Sequence, residues 1–484
     1  MGSERRGVVI AAMPEPVTLP SLPPASPGAR PAPSAPERTN RLTYDDEVFL
    51  RSATVIGVPV VGQTAWRFPT EIPVSAVQDV VDELAKGPLN RLVVRPKVTG
   101  ARSRWVPVTT AEPVRLHPDR IKADQVMSWL DTTTDQVPFD PVKGPLWAFF
   151  MAYTTDGGTV VTYNASHIVC DGGMKLGALI AAVRRQPLPR LPFDDPAATE
   201  ITRRDDRKDA RTMMKAALRG LRAARRAGPV PALEAQSSER RTVPDPQPDD
   251  GVVHDVANAS ADCPVEEWNA AVERAGGTSN ALQVAITVEV LLEAGIVRAG
   301  EPVKMSLPVS MRGEADLRSN ATSGVSIAVE TELRDGVGRV TDLAHIRDRS
   351  RKEFSALFKG TRPDPIANIA PLAQMIPDGL AKSLLKGVVT PLGLASNLGR
   401  PDPDFIAPFG VPAESILFRA VALGATRGEL RRMRGGVTSW WCDVGDTCNF
   451  GIRALDPDAV PDSERLEEIV TTVYGRWGLT PTFW

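Results

Sequence analysis

The residues best suited to chemistry stand close together: His167, Asp171, Gly172 and Gly173. They follow the alternating run 159–164, which predicts a strand, so the histidine lies where that strand ends. An imidazole is the usual general base near neutral pH, and paired glycines let the backbone turn tightly into a helix. A histidine beside a strand is more often a packed core residue, but among the four histidines only His167 has this strand-to-turn setting. The pattern predicts a reactive site, with a structural histidine as the alternative.

The neighbours of His167 leave two arrangements open. Asp171 could orient the imidazole as in a catalytic triad, or it could point away from the ring, because it lies four residues on and past a turn. A backbone amide at Gly172 or Gly173 could donate to a tetrahedral oxyanion. We expect Cys170 to be a small packed side chain, because apart from His167 no cation stands beside it in sequence to activate its thiol.

The composition fits a folded enzyme. The chain has 484 residues, 42% of them hydrophobic and 24% charged, which is enough for large cores and two or more domains. A net charge of −2 gives no field that attracts nucleic acid, so we expect no nucleic-acid partner. The four cysteines form no C-x2-C pair and no cluster with histidine, so we expect no metal and a reducing, cytoplasmic compartment. No stretch reaches the roughly 20 apolar residues of a membrane-spanning helix.

The order of elements divides the chain into four segments. Residues 1–40 are rich in proline and alanine and predict a disordered tail. Residues 41–200 form an N-terminal lobe that carries the histidine motif, residues 201–250 a basic helix and linker, and residues 251–484 a C-terminal lobe. Strand and helix patterns mix in both lobes, which indicates the α+β class.

Local patterns predict the elements around the histidine. Two strand patterns, 147–153 and 159–164, flank a turn signal and predict a hairpin. A helix is predicted over 174–183, directly after the Asp171 turn. The run 55–61 predicts a strand at a sheet edge, because Pro59 cannot donate to a strand ladder.

The segment 211–226 predicts a helix with two faces. Its cations and its larger apolar residues separate at helical spacing: Arg211, Lys215, Arg219, Arg222 and Arg226 on one face, and Met214, Leu218 and Leu221 on the other. One interpretation is a solvated helix that packs across the lobes through its Met/Leu face. The other is a docking surface for anionic lipid, phosphopantetheine or an acidic carrier protein, including a peripheral membrane contact.

The stretch 166–172 resembles the His-His-x3-Asp-Gly motif of a superfamily of CoA-dependent acyltransferases. This superfamily contains nonribosomal peptide condensation domains, wax ester synthase/diacylglycerol acyltransferases, polyketide-associated acyltransferases and, more distantly, chloramphenicol acetyltransferase. Ser166 stands at the first histidine of the motif, and His167 at the second, which is the one credited with catalysis.

Further segments extend the resemblance, in the same order, over about residues 41–484. They are 41–46, similar to the opening segment of these enzymes; 138–146, similar to Pro-Phe-Asp-x3-Gly-Pro-Leu; 307–312 with Asn320, similar to Pro-Val-x2-Arg; and 395–399, similar to a Ser-Asn segment.

The resemblance implies two chloramphenicol-acetyltransferase-like lobes, each a mixed sheet with flanking helices, that form a V around a central active-site tunnel. It implies that Asp171 and Arg312 form a buried bidentate ion pair between the lobes; a surface guanidinium at a strand end is the alternative for Arg312. Ser396 and Asn397 would lie near the tunnel as polar contacts to donor or acceptor. Asn397 as a turn residue before Gly399 is the alternative.

The implied activity is acyl transfer from acyl-CoA or a phosphopantetheine-linked carrier to a hydroxyl or amine, with His167 as general base. We expect no bound cofactor, and any acyl or peptidyl carrier protein must come in trans. The alternative is a catalytically silent relative that binds a carrier protein or a lipid.

Overall fold

The computed structural model describes residues 40–189, 202–227, 251–313, 316–360, 365–385 and 391–484. The tail predicted over 1–40, except residue 40, lies outside these ranges, and so do residues 228–250, the linker part of the predicted segment 201–250. No helix within them is long and apolar enough to cross a membrane.

The first half of the chain contains the elements that carry the histidine motif. In chain order they are α1 (Tyr44–Arg51), a π-helical turn (Ser52–Ile56), β1 (Val60–Phe68), α2 (Val74–Ala85), β2 (Arg91–Val94), β3 (Arg104–Pro107), β4 (Arg115–Leu116), a 3-10 turn (Ala123–Gln125), α3 (Val126–Asp135), β5 (Trp147–Tyr153), β6 (Thr159–Ser166), α4 (Gly172–Val183) and α5 (Arg203–Ala227). The predicted hairpin is confirmed as β5 and β6, and the helix predicted over 174–183 is α4.

The second half also mixes strands and helices. Its elements are β7 (Asn258–Pro264), α6 (Val265–Arg274), α7 (Ser279–Glu293), β8 (Val303–Ser310), β9 (Thr322–Val329), β10 (Glu332–Arg334), β11 (Val337–Arg339), α8 (Leu343–Phe358), α9 (Pro365–Met375), α10 (Asp378–Leu385), β12 (Gly393–Gly399), α11 (Pro403–Ile406), β13 (Ser415–Ala422), α12 (Arg427–Met433), β14 (Val437–Asp443), β15 (Thr447–Ala454), α13 (Ser463–Trp477) and β16 (Thr482–Phe483).

Two mixed sheets organise these elements into two lobes. The first has five strands in the order β13-β1-β6-β5-β4, and the second has seven in the order β16-β7-β15-β14-β12-β8-β9. In β1, alternate residues face opposite sides: Trp66 and Phe68 pack into one core, and Val61 and Ala65 into another. The predicted α+β class with flanking helices is confirmed.

The strand predicted over 55–61 is wrong in its residue range and in its location at a sheet edge. Residues 52–56 form the π-helical turn, and β1 begins only at Val60. The strand is central, because β13 pairs on one side of it and β6 on the other. Pro59 precedes the ladder, so its missing N–H breaks no strand pairing.

One strand from the second half of the chain belongs to the first lobe's sheet. β13 comes from the segment predicted as the C-terminal lobe, 251–484, yet it pairs antiparallel with β1, with Gly62 opposite Ala420. The boundary at residue 251 therefore does not separate the two sheets. Phe405 of α11 and Ile416 of β13 also pack in the first lobe's core, so residues from the second half of the chain complete that core.

The orientation of α5 contradicts one of the two interpretations of its sequence, in which Met214, Leu218 and Leu221 pack inward. All three are exposed, while Met213 and Ala217 are buried. The helix has two neighbouring apolar rows, and the row that lies against the protein includes the small residues Ala217 and Gly220 as well as Met213. Small residues allow closer backbone approach, which the pattern of large apolar residues does not reveal.

Candidate functional site

His167 lies in the turn that joins β6 to α4. Its backbone N–H donates to the carbonyl of Val60 at 2.8 Å, which continues the pairing of β6 with β1. Of the residues from Ser166 to Asp171, only His167 keeps part of its surface exposed. The turn therefore presents the imidazole and buries its neighbours.

Asn320, from the loop between β8 and β9, fixes the tautomer of this imidazole. Its Nδ2 donates to Oδ1 of Asp46 at 2.9 Å and to the carbonyl of His167 at 3.0 Å, and both oxygens can only accept. These partners fix the orientation of the amide, so Oδ1 of Asn320 must be the atom that faces Nδ1 of His167, 3.1 Å away. Nδ1 therefore carries the proton, and Nε2 has the free lone pair.

Helix α1 holds the same imidazole from another side. Thr43 and Asp46 form a capping box at its start, which orients the Asp46 carboxylate toward Asn320. Near the end of the helix, the Phe49 ring stacks on His167 with centroids 4.1 Å apart and planes inclined by 22°. Asp46 fixes the amide partner and Phe49 fixes the plane of the ring.

Asp171 ties this turn to the other lobe. Its Oδ1 accepts from the backbone N–H of Met174 at 2.7 Å, which caps α4, and from Nη2 of Arg312 at 2.8 Å. Its Oδ2 accepts from the backbone N–H of Ala321 at 2.7 Å and from the hydroxyl of Thr322 at 3.0 Å. With both oxygens engaged there and Nδ1 of His167 bonded to Asn320, the triad arrangement of Asp171 and His167 is not formed.

The contact between Asp171 and Arg312 joins a buried carboxylate to a partly buried guanidinium, and it is not bidentate. Only Nη2 reaches the carboxylate, while Nη1 donates to the carbonyls of Asp316 and Arg318, each at 2.8 Å. The expected bidentate geometry is wrong because the guanidinium also closes the β8–β9 loop on itself. Arg312 thus shapes the loop and clamps it to Asp171 with the same group.

Arg91 of β2 adds a second link between the lobes. Its Nη2 donates to the hydroxyl of Ser319 at 2.6 Å and to the carbonyl of Val169 at 3.4 Å, and its guanidinium lies 4.3 Å from the centroid of the Trp105 ring. Burial lowers the pKa of Arg91 to about 10. No pattern in the sequence predicts this role.

The two glycines of the motif serve different needs. A Cβ at Gly173 would lie 3.2 Å from Oγ of Ser310 and 3.5 Å from Nε of Arg312, so the close approach of the β8–β9 loop leaves little room for a side chain there. A Cβ at Gly172 would have no protein atom within 4 Å. Gly172 therefore borders open space at the start of α4.

Burial sets the protonation states around the turn. It lowers the pKa of His167 below its usual value, and the nearby Asp171 charge only partly opposes this shift. Burial also raises the pKa of the Cys170 thiol to about 12, as expected for a packed cysteine. The imidazole is neutral near pH 7 and the thiol is unreactive.

Lys175 of α4 is a buried amine behind the turn. Its Nζ donates to the carbonyls of Gly62 at 2.8 Å and Tyr163 at 2.7 Å, and lies 4.4 Å from the centroid of the Tyr163 ring. Burial lowers its pKa to about 7. Sequence reasoning missed Lys175, together with Asp46 and Phe49, because each acts through contacts between distant segments.

Ser396 and Asn397 lie on β12, and within the described ranges no hydrogen bond joins either side chain to the His167 turn. Oδ1 of Asn397 accepts from the backbone N–H of Gly399 at 2.9 Å, where the strand bulges. This is the turn role that the sequence left as an alternative. The backbone carbonyl of Ser396 accepts from Nε2 of Gln283 at 3.1 Å.

In the same described segments, no group of three or more His, Cys, Asp or Glu residues could hold a metal ion.

No sequence-family model matches the chain, and no curated protein matches it. Solved structures do match its fold. The first condensation domain of the CDA synthetase is 13% identical, with a TM-score of 0.53 over 90% of this chain and 95% of that domain. A mutant starter condensation domain of rhizomide synthetase, solved with C8-CoA and Leu-SNAC, is 13% identical, with a TM-score of 0.50 over 91% of this chain and 95% of the other.

TRI101 of F. sporotrichioides, solved with coenzyme A and T-2, is also similar, at 13% identity and a TM-score of 0.50 over 92% of this chain and 99% of that protein. At such low identity the likeness establishes the fold. This chain has the two-lobe fold of condensation domains, as the family resemblance implied.

The buried ion pair predicts coupled stabilities. Asp171→Ala and Arg312→Ala should each lower the free energy of unfolding by about 3–5 kcal/mol, because each leaves a buried group without its partner. The double variant should cost clearly less than the sum, since both changes remove one shared contact. Urea denaturation of the four proteins measures this. Arg120→Ala and Glu71→Ala, an exposed pair, serve as the control cycle and should show little coupling. Additive losses at Asp171 and Arg312 would contradict the clamp.

The Asn320 contact predicts the tautomer of the base. In protein labelled with ¹⁵N at histidine, the neutral His167 ring should show a protonated Nδ1 and a bare Nε2. In Asn320→Ala, the ring should lose this preference, because no acceptor then faces Nδ1. Spectra of His167→Gln assign the signal among the four histidines. A wild-type ring protonated at Nε2 would refute the orientation deduced for Asn320.

Proposed function

We propose that this protein is an acyltransferase that moves an acyl group from a thioester to a hydroxyl or amine acceptor, with His167 as general base. The donor is an acyl-CoA or an acyl group on the phosphopantetheine of a carrier protein. The observation that carries the proposal is the imidazole itself, which is neutral, partly exposed and bonded through Nδ1 to Asn320. Its Nε2 is thus free to accept a proton. The two-lobe fold, seen in condensation domains, supports the same reaction class.

The proposed reaction needs no acyl-enzyme and no bound cofactor. As the acceptor oxygen or nitrogen attacks the thioester carbonyl carbon, Nε2 of His167 takes the acceptor's proton. The tetrahedral intermediate then collapses, the carbon–sulfur bond breaks, and the imidazolium returns the proton to the leaving thiolate. The products are an ester or amide and a free thiol, which suits a role in lipid or secondary-metabolite biosynthesis.

The start of α4 supports the proposed intermediate. The backbone N–H groups of Gly172 and Gly173 have no acceptor within the helix, because they belong to its first turn. Gly172 borders open space, so a substrate oxygen can approach the backbone there. These amides are the donors that we assign to the oxyanion. Asp171 and Arg312 have a structural part in the proposal, since they hold the turn and never touch the substrate.

Removal of the base gives the central test. Purified protein is incubated with acyl-CoAs and acyl carriers of varied chain length and with alcohol or amine acceptors, and products are detected by mass. His167→Ala should lower kcat by roughly 100-fold or more while the unfolding transition stays in place. His117→Ala, at a histidine in another part of the lobe, is the matched control and should retain activity. Failure of the wild type with every thioester would overturn acyl transfer, and near-normal turnover by His167→Ala would overturn the assigned base.

The lowered pKa of His167 predicts the pH profile. Only the neutral imidazole can accept a proton, so kcat/KM should fall as pH drops through the pKa of His167 in the free enzyme. Because burial lowers that pKa, the fall should begin below the ordinary histidine value of about 6.5, and the profile should be flat from there to neutral pH. Initial rates between acidic and neutral pH, with stability checked at each pH, measure this. An acid limb centred above the ordinary value would mean that another group titrates.

A further inference from the structure

Helix α5 is held to the first lobe by the acidic residues near its start. The buried Asp206 carboxylate accepts from the backbone N–H of Lys97 at 2.7 Å and pairs with Arg41 at 2.8 Å. One turn on, Asp209 pairs with Arg102 at 2.7 Å. These contacts fix the rotation of the helix about its own axis, so the outward direction of its later residues is set by the fold.

That rotation exposes a row of large apolar side chains. Met214, Leu218 and Leu221 are 50%, 48% and 37% exposed, and their spacing places them along one flank of the helix. The neighbouring α9, which packs against α5, has two more exposed apolar residues, Ile369 and Leu372. Exposed large apolar residues that gather on one surface indicate an interaction site.

Cations stand beside this apolar row. Arg211, Lys215, Arg219 and Arg222 are exposed, and helical geometry places them on the outward face next to the row. Among the residues that the structure describes, none of the four forms an ion pair. Residues 210–227 contain six cations, including Arg226, whose side chain lies outside the described residues, and no carboxylate. The surface therefore combines uncompensated positive charge with exposed apolar groups.

This surface is connected to the catalytic base by direct contacts. The last carbonyls of α9 and the residue after it, at Ala373, Gln374 and Ile376, accept from the guanidinium of Arg51 on α1 at 2.8–3.0 Å. Phe49, two residues earlier on α1, stacks on His167. A partner bound to α5 and α9 would therefore be linked to the imidazole through α9 and α1.

We propose that α5 docks the protein on an anionic lipid membrane, with Met214, Leu218 and Leu221 inserted among the lipid headgroups. A bilayer surface offers both partners that this helix lacks, since phosphates attract the cations and the acyl boundary accepts the apolar row. The helix lies in the plane of the membrane and does not cross it. An acidic protein would satisfy the cations without needing three half-exposed apolar side chains, so the lipid surface is the better match.

Binding to vesicles tests the proposal without any substrate, so its outcome is independent of the proposed acyl transfer. The full chain is sedimented with vesicles of phosphatidylcholine alone or mixed with phosphatidylglycerol, at low and at moderate salt. The wild type should bind the mixed vesicles, and the binding should weaken with salt. Lys215→Glu/Arg219→Glu should bind at least about 30-fold more weakly, because each cation near an anionic surface contributes about 1 kcal/mol.

Two further variants decide between lipid insertion and charge alone. Met214→Ser/Leu218→Ser/Leu221→Ser keeps every cation and should also lose binding to the mixed vesicles. Arg351→Glu/Lys352→Glu, on the exposed face of α8, is the matched control for charge and should bind like the wild type. No binding of the wild type to mixed vesicles at low salt would overturn the proposal. So would undiminished binding by the serine variant, because it would mean that charge alone holds the vesicles and that the apolar row is not inserted.

Discussion

The Asp171 carboxylate is the group on which the site depends. A buried carboxylate costs several kcal/mol unless its lone pairs are satisfied, and here four donors satisfy them. One donor belongs to α4 and three belong to the segment from Arg312 to Thr322, so the same charge that starts the helix also docks the β8–β9 loop. Gly173 is part of this constraint, because a side chain there would meet Ser310 and Arg312.

The docked loop explains how the imidazole is oriented. The β8–β9 loop brings Asn320 to Nδ1 of His167 and brings Ser319 to Arg91 behind the turn. The first lobe supplies the backbone bond from His167 to Val60 and the Phe49 ring. Neither lobe orients the ring alone, so the observed orientation of the imidazole requires both lobes to be folded and joined. The strand β13, which crosses into the first sheet, makes that union part of the core.

Local patterns in the sequence predicted the elements that are determined by residues close together in the chain. The hairpin of β5 and β6 and the start of α4 were predictable because turn residues and periodicity lie within a few positions of each other. The central place of β1 was not, because its partner β13 lies in a distant part of the chain. The partner of Asp171 came from a family resemblance, and no spacing rule would have found it. Asp46 had a readable signal, its capping spacing from Thr43, but its contact with Asn320 had none.

The proposed base is influenced electrostatically by a chain of hydrogen bonds that runs from Asp46 through Asn320 to His167. The Asp46 carboxylate polarises the Asn320 amide, whose oxygen then faces Nδ1–H of the imidazole. Negative polarity thus reaches the ring without a carboxylate in contact with it. A carboxylate bonded directly to Nδ1 would raise the pKa of His167 and favour the protonated resting form. The intervening amide leaves burial free to keep the imidazole neutral, while its oxygen still stabilises the imidazolium as the proton arrives. The arrangement therefore favours a base that is unprotonated at rest and is supported when it takes up a proton.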